Sequence, residues 1–293
     1  MRIVFIGAVK FSQSTLECLI ALKADVVGIC TLRSSLANAD HVDLGFLGEK
    51  YEIPTHYVDD INSAVSLKWI AQREPDIIFC FGWSRLLRQE LLQLAPMGVI
   101  GFHPSALPAN RGRHPLIWPL VLGLKRTAST FFFMDAGADT GDLLSQRELA
   151  IDPEDDAGTL YRKVTTLALS QIKEFMPQLA TGTFPRIRQV EIHASKWRKR
   201  KRSDGIIDWR MSATSIHNLV RGLARPYVGA VFMHNGLEVK VWKTAVVKDL
   251  PDYMEPGRVW QLSHVGVIVK CGEDAICLLD TEPIFNVEVG TCI

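Results

Sequence analysis

The chain has 293 residues, enough to bury a sizeable core as one large domain or two modest ones. Hydrophobic residues make up 47% and charged residues 22%, the balance of an ordinary soluble globular protein. Lys+Arg 33 against Asp+Glu 32 leave a net charge of +1, which gives no global reason to expect a nucleic-acid or membrane surface and excludes only a strongly basic or acidic body.

The start, "MRIVFIGAVKF", passes from one basic residue straight into a short β-like run, without the apolar core and cleavage site of a signal peptide. No stretch reaches the roughly 18 uninterrupted apolar residues of a membrane span. "RIVFIG" (2–7) predicts a strand, and "SQSTLECLIALK" (12–23) a helix with Ser12 or Ser14 near its start. "DVVGICT" (25–31) predicts a second strand, "AVSLKWIAQRE" (64–74) a helix, and "PDIIFCFG" (75–82) a third strand, apolar on both faces. "GVIGFH" (98–103) and "ASTFFFM" (128–134) supply two more. Near-continuous apolar strands separated by helices predict a doubly wound, Rossmann-like parallel sheet covered on both faces. Ligands of such sheets bind beyond the carboxyl ends of the strands.

A helix over about 156–180 closes this first domain, 1–185. An irregular, partly basic linker follows over 186–204, and the texture changes from about 205. "SATSIHNLVRGL" (212–223) predicts a helix, and "GAVFMHNGLEVKVWKTAVV" (229–247) a hairpin turning at His234-Asn235-Gly236. Short strands continue through 257–280, so 205–293 reads as a smaller β-rich, barrel-like domain. The six cysteines (18, 30, 80, 271, 277, 292) form no C-x-x-C pair, and several sit in apolar runs. That usage predicts a reduced, cytoplasmic setting.

Several chemistries lack their motifs. Gly7 after the first strand has no G-x-G-x-x-G partner glycines, and no phosphate-binding G-x-x-x-x-G-K loop is present. His103, His114 and His193 show no metal-ligand spacing, so no metal is expected, and Ser105 lies outside a G-x-S-x-G elbow. What stands out is "VIGFHPSALPANRGRHP" (99–115), where an apolar strand ends in His103 and a stiff, proline-rich loop begins. A second dense stretch, "MDAGADTGDLLSQ" (134–146), carries Asp135, Asp139 and Asp142. A strand-end histidine and an aspartate from a neighbouring strand end can form a pair that orients the imidazole and moves a proton. The same residues also suit a satisfied structural histidine, and a tight turn in which Asp139 caps the backbone.

"GFHPSALPANRGRHPLIW" followed by "TASTFFFMDAGADTGDLLSQ" resembles the formyltransferases that use 10-formyltetrahydrofolate. Members include methionyl-tRNA, glycinamide ribonucleotide and sugar N-formyltransferases. "KRSDGIIDWRMSATSIHNLVRGLARPYVGA" resembles the linker and C-terminal domain of the tRNA and sugar enzymes, so the likeness covers nearly the whole chain. It implies that His103 and Asp139, 36 positions apart, are a catalytic pair. It further implies folate contacts at Arg85, Leu86 and Leu87, at Ser105, Ala106, Leu107 and Pro108, at Arg113, and at Asp135 and Gly137 in the 135–139 loop.

The family's asparagine two residues before the histidine is Gly101 here, and Phe132 stands where many members place a polar residue. A glycine has no side chain to donate to an oxyanion, and the loss of one such donor costs about 10²–10³ in rate. Asn110 is the candidate replacement; another group or a water could serve, or the chain could be a folate-binding protein of weak activity. The basic run "KWRKRKR" (196–202) suits either a tRNA contact or a solvated connector. The neutral charge balance, the short C-terminus and the variant loop favour a nucleotide-linked amino sugar as acceptor over tRNA, and a homodimer is compatible with exposed C-terminal strands.

Overall fold

In the computed structural model, which describes residues 1–35, 39–251 and 253–293, the apolar runs of the N-terminal half form one seven-stranded sheet. In chain order its strands are β1 (Arg2–Ile6), β2 (Asp25–Thr31), β3 (Thr55–Tyr57), β4 (Ile77–Cys80) and β5 (Val99–His103). The two-residue β6 (Arg111–Gly112) lies outside the sheet, which is completed by β7 (Arg126–Phe133) and β8 (Leu143–Ala150). The order is β3-β2-β1-β4-β5-β7-β8. The first five strands are parallel, and β1, β4 and β5 are buried over nearly their whole length, as apolar runs covered on both faces predict.

The fifth predicted strand departs from that pattern. β7 runs antiparallel to β5, with Gly101 opposite Phe132 and His103 opposite Thr130, so the sheet is mixed. The parallel expectation rests on strands alternating with helices, and an apolar run covered on both faces does not itself reveal that β7 enters reversed. β3 and β8 were not legible either: β3 has three residues, and β8 is a largely exposed edge strand without alternation.

Helices α1 (Lys10–Ala21), α2 (Gly45–Lys50), α3 (Ala64–Ala71) and α4 (Gln89–Leu92) join the parallel strands. Ser12 secures the entry to α1 from within: its Oγ accepts from the N–H groups of Ala8 and Val9 and donates to the carbonyl of Phe81. One face of the sheet gathers Phe5, Phe79, Phe81 and Phe131 edge to face or stacked, and Phe131 meets Phe175 on α6 (Ala157–Thr181). Each such ring contributes about 1.5–3 kcal/mol by leaving water.

The chain divides into two compact units, 1–115 with 127–149 and 162–197, and 116–126 with 150–161 and 198–293. The division is therefore not a single cut in the sequence, and it falls inside the basic connector, after Trp197. β9 (Lys196–Trp197) belongs to the first unit and pairs in parallel with β6.

The second unit contains α5 (Ile117–Val121), α7 (Ala213–Leu223) and a five-stranded antiparallel sheet. Its strands are β10 (Ala230–His234), β11 (Leu237–Val247), β12 (Val259–Ser263), β13 (Gly266–Lys270) and β14 (Ala275–Glu282). The hydrogen-bonded order β10-β11-β14-β13-β12 leaves this small domain open along one seam. Asn235 and Gly236 turn the β10–β11 hairpin at φ +49° and +77°, the left-handed pair that Asn-Gly favours. Ser212 caps α7 by accepting from Ser215 N, and Ile216, Val220 and Leu223 pack with Phe232, Val241 and Ile276. Buried Arg221 is satisfied by Asn218 Oδ1 and by the carbonyls of Asp152, Pro153 and Asp155.

Candidate active site

The site lies wholly within the first unit and starts from the antiparallel pairing of β5 and β7. Phe133 stands opposite Ile100, and Met134 N donates to Val99 O, so the chain leaves β7 beside the beginning of β5. His103 is at the other end of β5, roughly 13 Å away at ~3.3 Å per residue. The loop 134–142, closed at its base by Phe133 N donating to Asp142 O, therefore has to come back along the sheet to deliver Asp139 to His103. Asp139 adopts φ +61°, a left-handed conformation that aspartate tolerates better than most residues.

Asp139 Oδ2 lies 3.7 Å from His103 Nδ1 and accepts a hydrogen bond of 2.8 Å from Gly112 N. The first distance is an ion-pair separation, longer than a hydrogen bond. The other ring nitrogen, Nε2, is 2.9 Å from the main-chain carbonyl of Asn110. A carbonyl only accepts, so Nε2 carries a proton, and a proton arriving at Nδ1 is met by the carboxylate. The His103 side chain is 6% exposed and that of Asp139 21%, so the pair is largely withdrawn from water.

Asn110 also sits in the left-handed region, at φ +65°. Its main chain, not its amide, meets His103. Ser195 holds the rest of the residue: Ser195 Oγ accepts from Asn110 N at 2.9 Å and donates to Asn110 Oδ1 at 3.3 Å. Gly101 has no room beside it, since a Cβ there would stand 2.8 Å from Met134 Cγ and 3.0 Å from Phe132 Cζ. Met134 and Phe132 thus fill the space into which a side chain at position 101 would grow.

The other sequence-predicted residues separate into two kinds. Ser105, Leu107 and Leu87 are buried: Ser105 Oγ donates to Ala109 O, Thr130 Oγ1 to Ser105 O, and Gln146 Nε2 to Leu107 O. Leu107 and Pro108 are joined by a cis peptide bond, and Ala106 and Pro108 are partly exposed. Arg113 reaches Ser84 O, Arg85 reaches Asp59 O, and Leu86 is 64% exposed. Asp135 Oδ1 accepts from Gly137 N and Thr140 Oγ1, which fixes the turn of its own loop. The indole Nε1–H of Trp83, whose ring lies under the Arg85 guanidinium, is buried with no hydrogen-bond partner among the described residues. Among the described residues no group of His, Cys, Asp and Glu could hold a metal ion.

Three residues of the site escape sequence reasoning. Arg111, buried at 7% exposure, donates to Gln189 Oε1 through Nε and Nη2 and pairs with Glu191. That guanidinium holds the Glu191 carboxyl below the usual carboxylate range. Gln189 Nε2 donates to the carbonyls of both Asp139 and Gly141, at 2.9 and 2.7 Å. Ser195 clasps Asn110, and its neighbours Lys196 and Trp197 pair with Arg111 and Gly112. All but Arg111 lie in a connector whose only sequence signal is its basic charge.

Three solved structures of similar fold bear on this geometry. WlaRD, a sugar 3N-formyl transferase solved in the presence of dTDP and 5-N-formyl-THF, is 17% identical with a TM-score of 0.72, over 97% of this chain and 99% of its own. An N-formyltransferase from Helicobacter canadensis, in complex with folinic acid and dTDP-3-aminofucose, is 16% identical with a TM-score of 0.71, over 94% and 98%. Methionyl-tRNA formyltransferase from Clostridium thermocellum is 16% identical with a TM-score of 0.63, over 84% and 93%. At these identities the likeness is one of fold. The sequence patterns of the family itself match over residues 46–175 (formyl transferase) and 199–284 (formyl transferase, C-terminal domain), and the chain belongs to the formyl transferase family.

Proposed function

We propose that this chain transfers a formyl group from 10-formyltetrahydrofolate to the amine of a nucleotide-linked amino-deoxy sugar. The observation that carries the reading is the convergence on His103 of a carboxylate, Asp139, and a main-chain acceptor, Asn110 O, in a nearly dry site at the end of β5. The folate supplies the formyl group. Around it, Leu86 and the Trp83 N–H would seat the ring, with Arg85 and Arg113 at the rim.

In this reading His103 Nε2–H exchanges the Asn110 carbonyl for the oxygen of the carbon under attack, while Asp139 stabilises positive charge on the ring. The bond from the acceptor nitrogen to the formyl carbon forms as the bond from that carbon to N10 breaks. The acceptor amine gives up one proton and N10 gains one, so the exchange balances without an outside acid or base. With Oδ1 held by Ser195, the Asn110 Nδ2 hydrogens are the donors we assign to the part that Gly101 cannot take.

A sugar acceptor is supported by the state of the basic run. Arg198 is paired in two-point fashion with Asp204 and lies over Trp118, Arg200 lies over the same ring, and Arg202 pairs with Glu238. Cations already engaged within the chain offer a polyanion less than the sequence suggests. The ligands of the WlaRD and Helicobacter canadensis structures point the same way. A cytoplasmic setting is in keeping with the six unpaired cysteines, and no helix among the described residues is long and apolar enough to cross a membrane. A homodimer is supported by exposed Trp260, Leu262 and Met233 on the two edge strands of the second unit.

The test is a transfer assay with 10-formyltetrahydrofolate and either dTDP-3-aminofucose or charged initiator tRNA. The reading predicts formylation of the amino sugar. Formylation of the tRNA alone would overturn the choice of acceptor and leave the donor reading intact.

A further inference from the structure

We propose that Gln189 is the positioning residue that holds Asp139 on His103, an inference that rests on the reading of those two as the reacting pair. The loop 134–142 starts at the far end of β5 and arrives at His103 only by doubling back, and its approach needs an anchor. Gln189 supplies one at each end of Asp139. Directly, Nε2 donates to the Asp139 carbonyl at 2.9 Å and, with its second hydrogen, to the Gly141 carbonyl at 2.7 Å. Indirectly, Oε1 accepts from Arg111 Nε and Nη2 at 3.2 and 2.8 Å, fixing the residue next to Gly112, whose N–H holds the Asp139 carboxylate.

The chemistry of the position is narrow. One buried side-chain tip must present two donors and an acceptor, and the residue is 6% exposed, so water cannot take over. Only an amide does this: a carboxylate lacks the donors, and lysine or arginine lacks the acceptor. The partner loop is clamped independently by β9. Arg111 N donates to Ser195 O, Arg113 N to Trp197 O, and a Cβ at Gly112 would stand 2.3 Å from Trp197 O. With Arg111–Gly112 fixed from that side, Gln189 is the piece that ties the aspartate loop to it.

The experiment compares Gln189→Glu with the wild-type protein. Glutamate keeps the contact with Arg111 but cannot donate to Asp139 and Gly141, so a merely structural anchor survives the change and a positioning role does not. Two readouts are taken: steady-state formyl transfer, and amide hydrogen exchange at Gly112 N–H, which reports the Asp139 carboxylate without any substrate. Asp139→Ala gives the released limit for that amide. Gln189→Glu is expected to lower kcat by about 30–100-fold with both KM values within ~3-fold. It should also speed Gly112 exchange at least ~10-fold toward the Asp139→Ala limit, with β1 and β4 amides unchanged. Gln189→Met, of similar length and volume, is expected to behave alike and decides the matter if the glutamate variant fails to fold. A folded Gln189→Glu protein with wild-type kcat and wild-type Gly112 exchange would overturn the proposal. If the wild-type protein transfers no formyl group, the proposed function falls, while the Gly112 amide still decides whether Gln189 holds Asp139.

Discussion

Replacing Asp139 by asparagine removes one charge from the site and little else. The amide oxygen can still accept from Gly112 N, so the 2.8 Å bond survives in kind. What is lost is the attraction between the carboxylate and positive charge on the ring at 3.7 Å. Coulomb's law sets that at about 1 kcal/mol with the dielectric of water and about 4 kcal/mol at an effective value near 20. Asp139 is 21% exposed, between those limits. A loss of about 2–3 kcal/mol corresponds to a fall in kcat of roughly 30–150-fold. Stability should change by less than about 1.5 kcal/mol, the ordinary worth of one hydrogen bond. The assay is steady-state formyl transfer to an amino-sugar nucleotide at saturating donor, with thermal denaturation in parallel. An Asp139→Asn protein within threefold of wild-type kcat would refute the charge argument, and one that unfolds would show that the residue is chiefly structural.

Asn110→Ala is expected to lower kcat by about 10²–10³ if its amide serves the oxyanion, and full activity in steady-state assays would remove Asn110 from the mechanism. Gly112→Ala meets both a φ of +103° and the carbonyl of Trp197, and thermal unfolding should show a loss of at least about 1–3 kcal/mol; an unchanged Tm would contradict the β6–β9 clamp. Asp204 titrates well below the usual carboxylate range because Arg198 hydrogen-bonds its side chain and Lys201 N adds a backbone bond. A folded-state value below the unfolded one means that the unfolded chain binds the proton first as pH falls. The stability is then complete above about pH 4–5 and is lost progressively below it. Asp204→Asn should flatten the fall in Tm between about pH 6 and pH 3, and parallel curves for the two proteins would refute the assignment.

Much of this was legible because burial and chemistry share one signal in the strands. The apolar runs at 2–7, 25–31, 75–82 and 98–103 became β1, β2, β4 and β5 within a residue or two, and the Asn235-Gly236 turn fell where its dipeptide predicts. His103 was conspicuous because a titratable ring ended such a run. Strand direction was not legible, since Phe131, Phe132 and Phe133 are buried in either orientation. The roles of Gln189 and Ser195 were hidden for a different reason. Each acts through one or two polar atoms on a partner about 50 or 85 positions away, and such contacts leave no periodicity in the local sequence. Arg111 stood in plain view beside Gly112, yet nothing in its neighbours announced that it would be buried. The basic run stayed ambiguous in the sequence because Asp204, Glu238 and Trp118, which engage Arg198, Arg200 and Arg202, lie outside it.

The most direct measurement is transfer itself, followed by mass spectrometry with wild-type and His103→Gln proteins, 10-formyltetrahydrofolate and dTDP-3-aminofucose. Wild-type protein should add the mass of one formyl group to the sugar nucleotide, at its amine, and convert an equal amount of donor to tetrahydrofolate. The His103→Gln protein should fall by at least about 10²-fold. Donor that binds but is never consumed with either amino-sugar or tRNA acceptors, or equal turnover by the two proteins, would contradict the account.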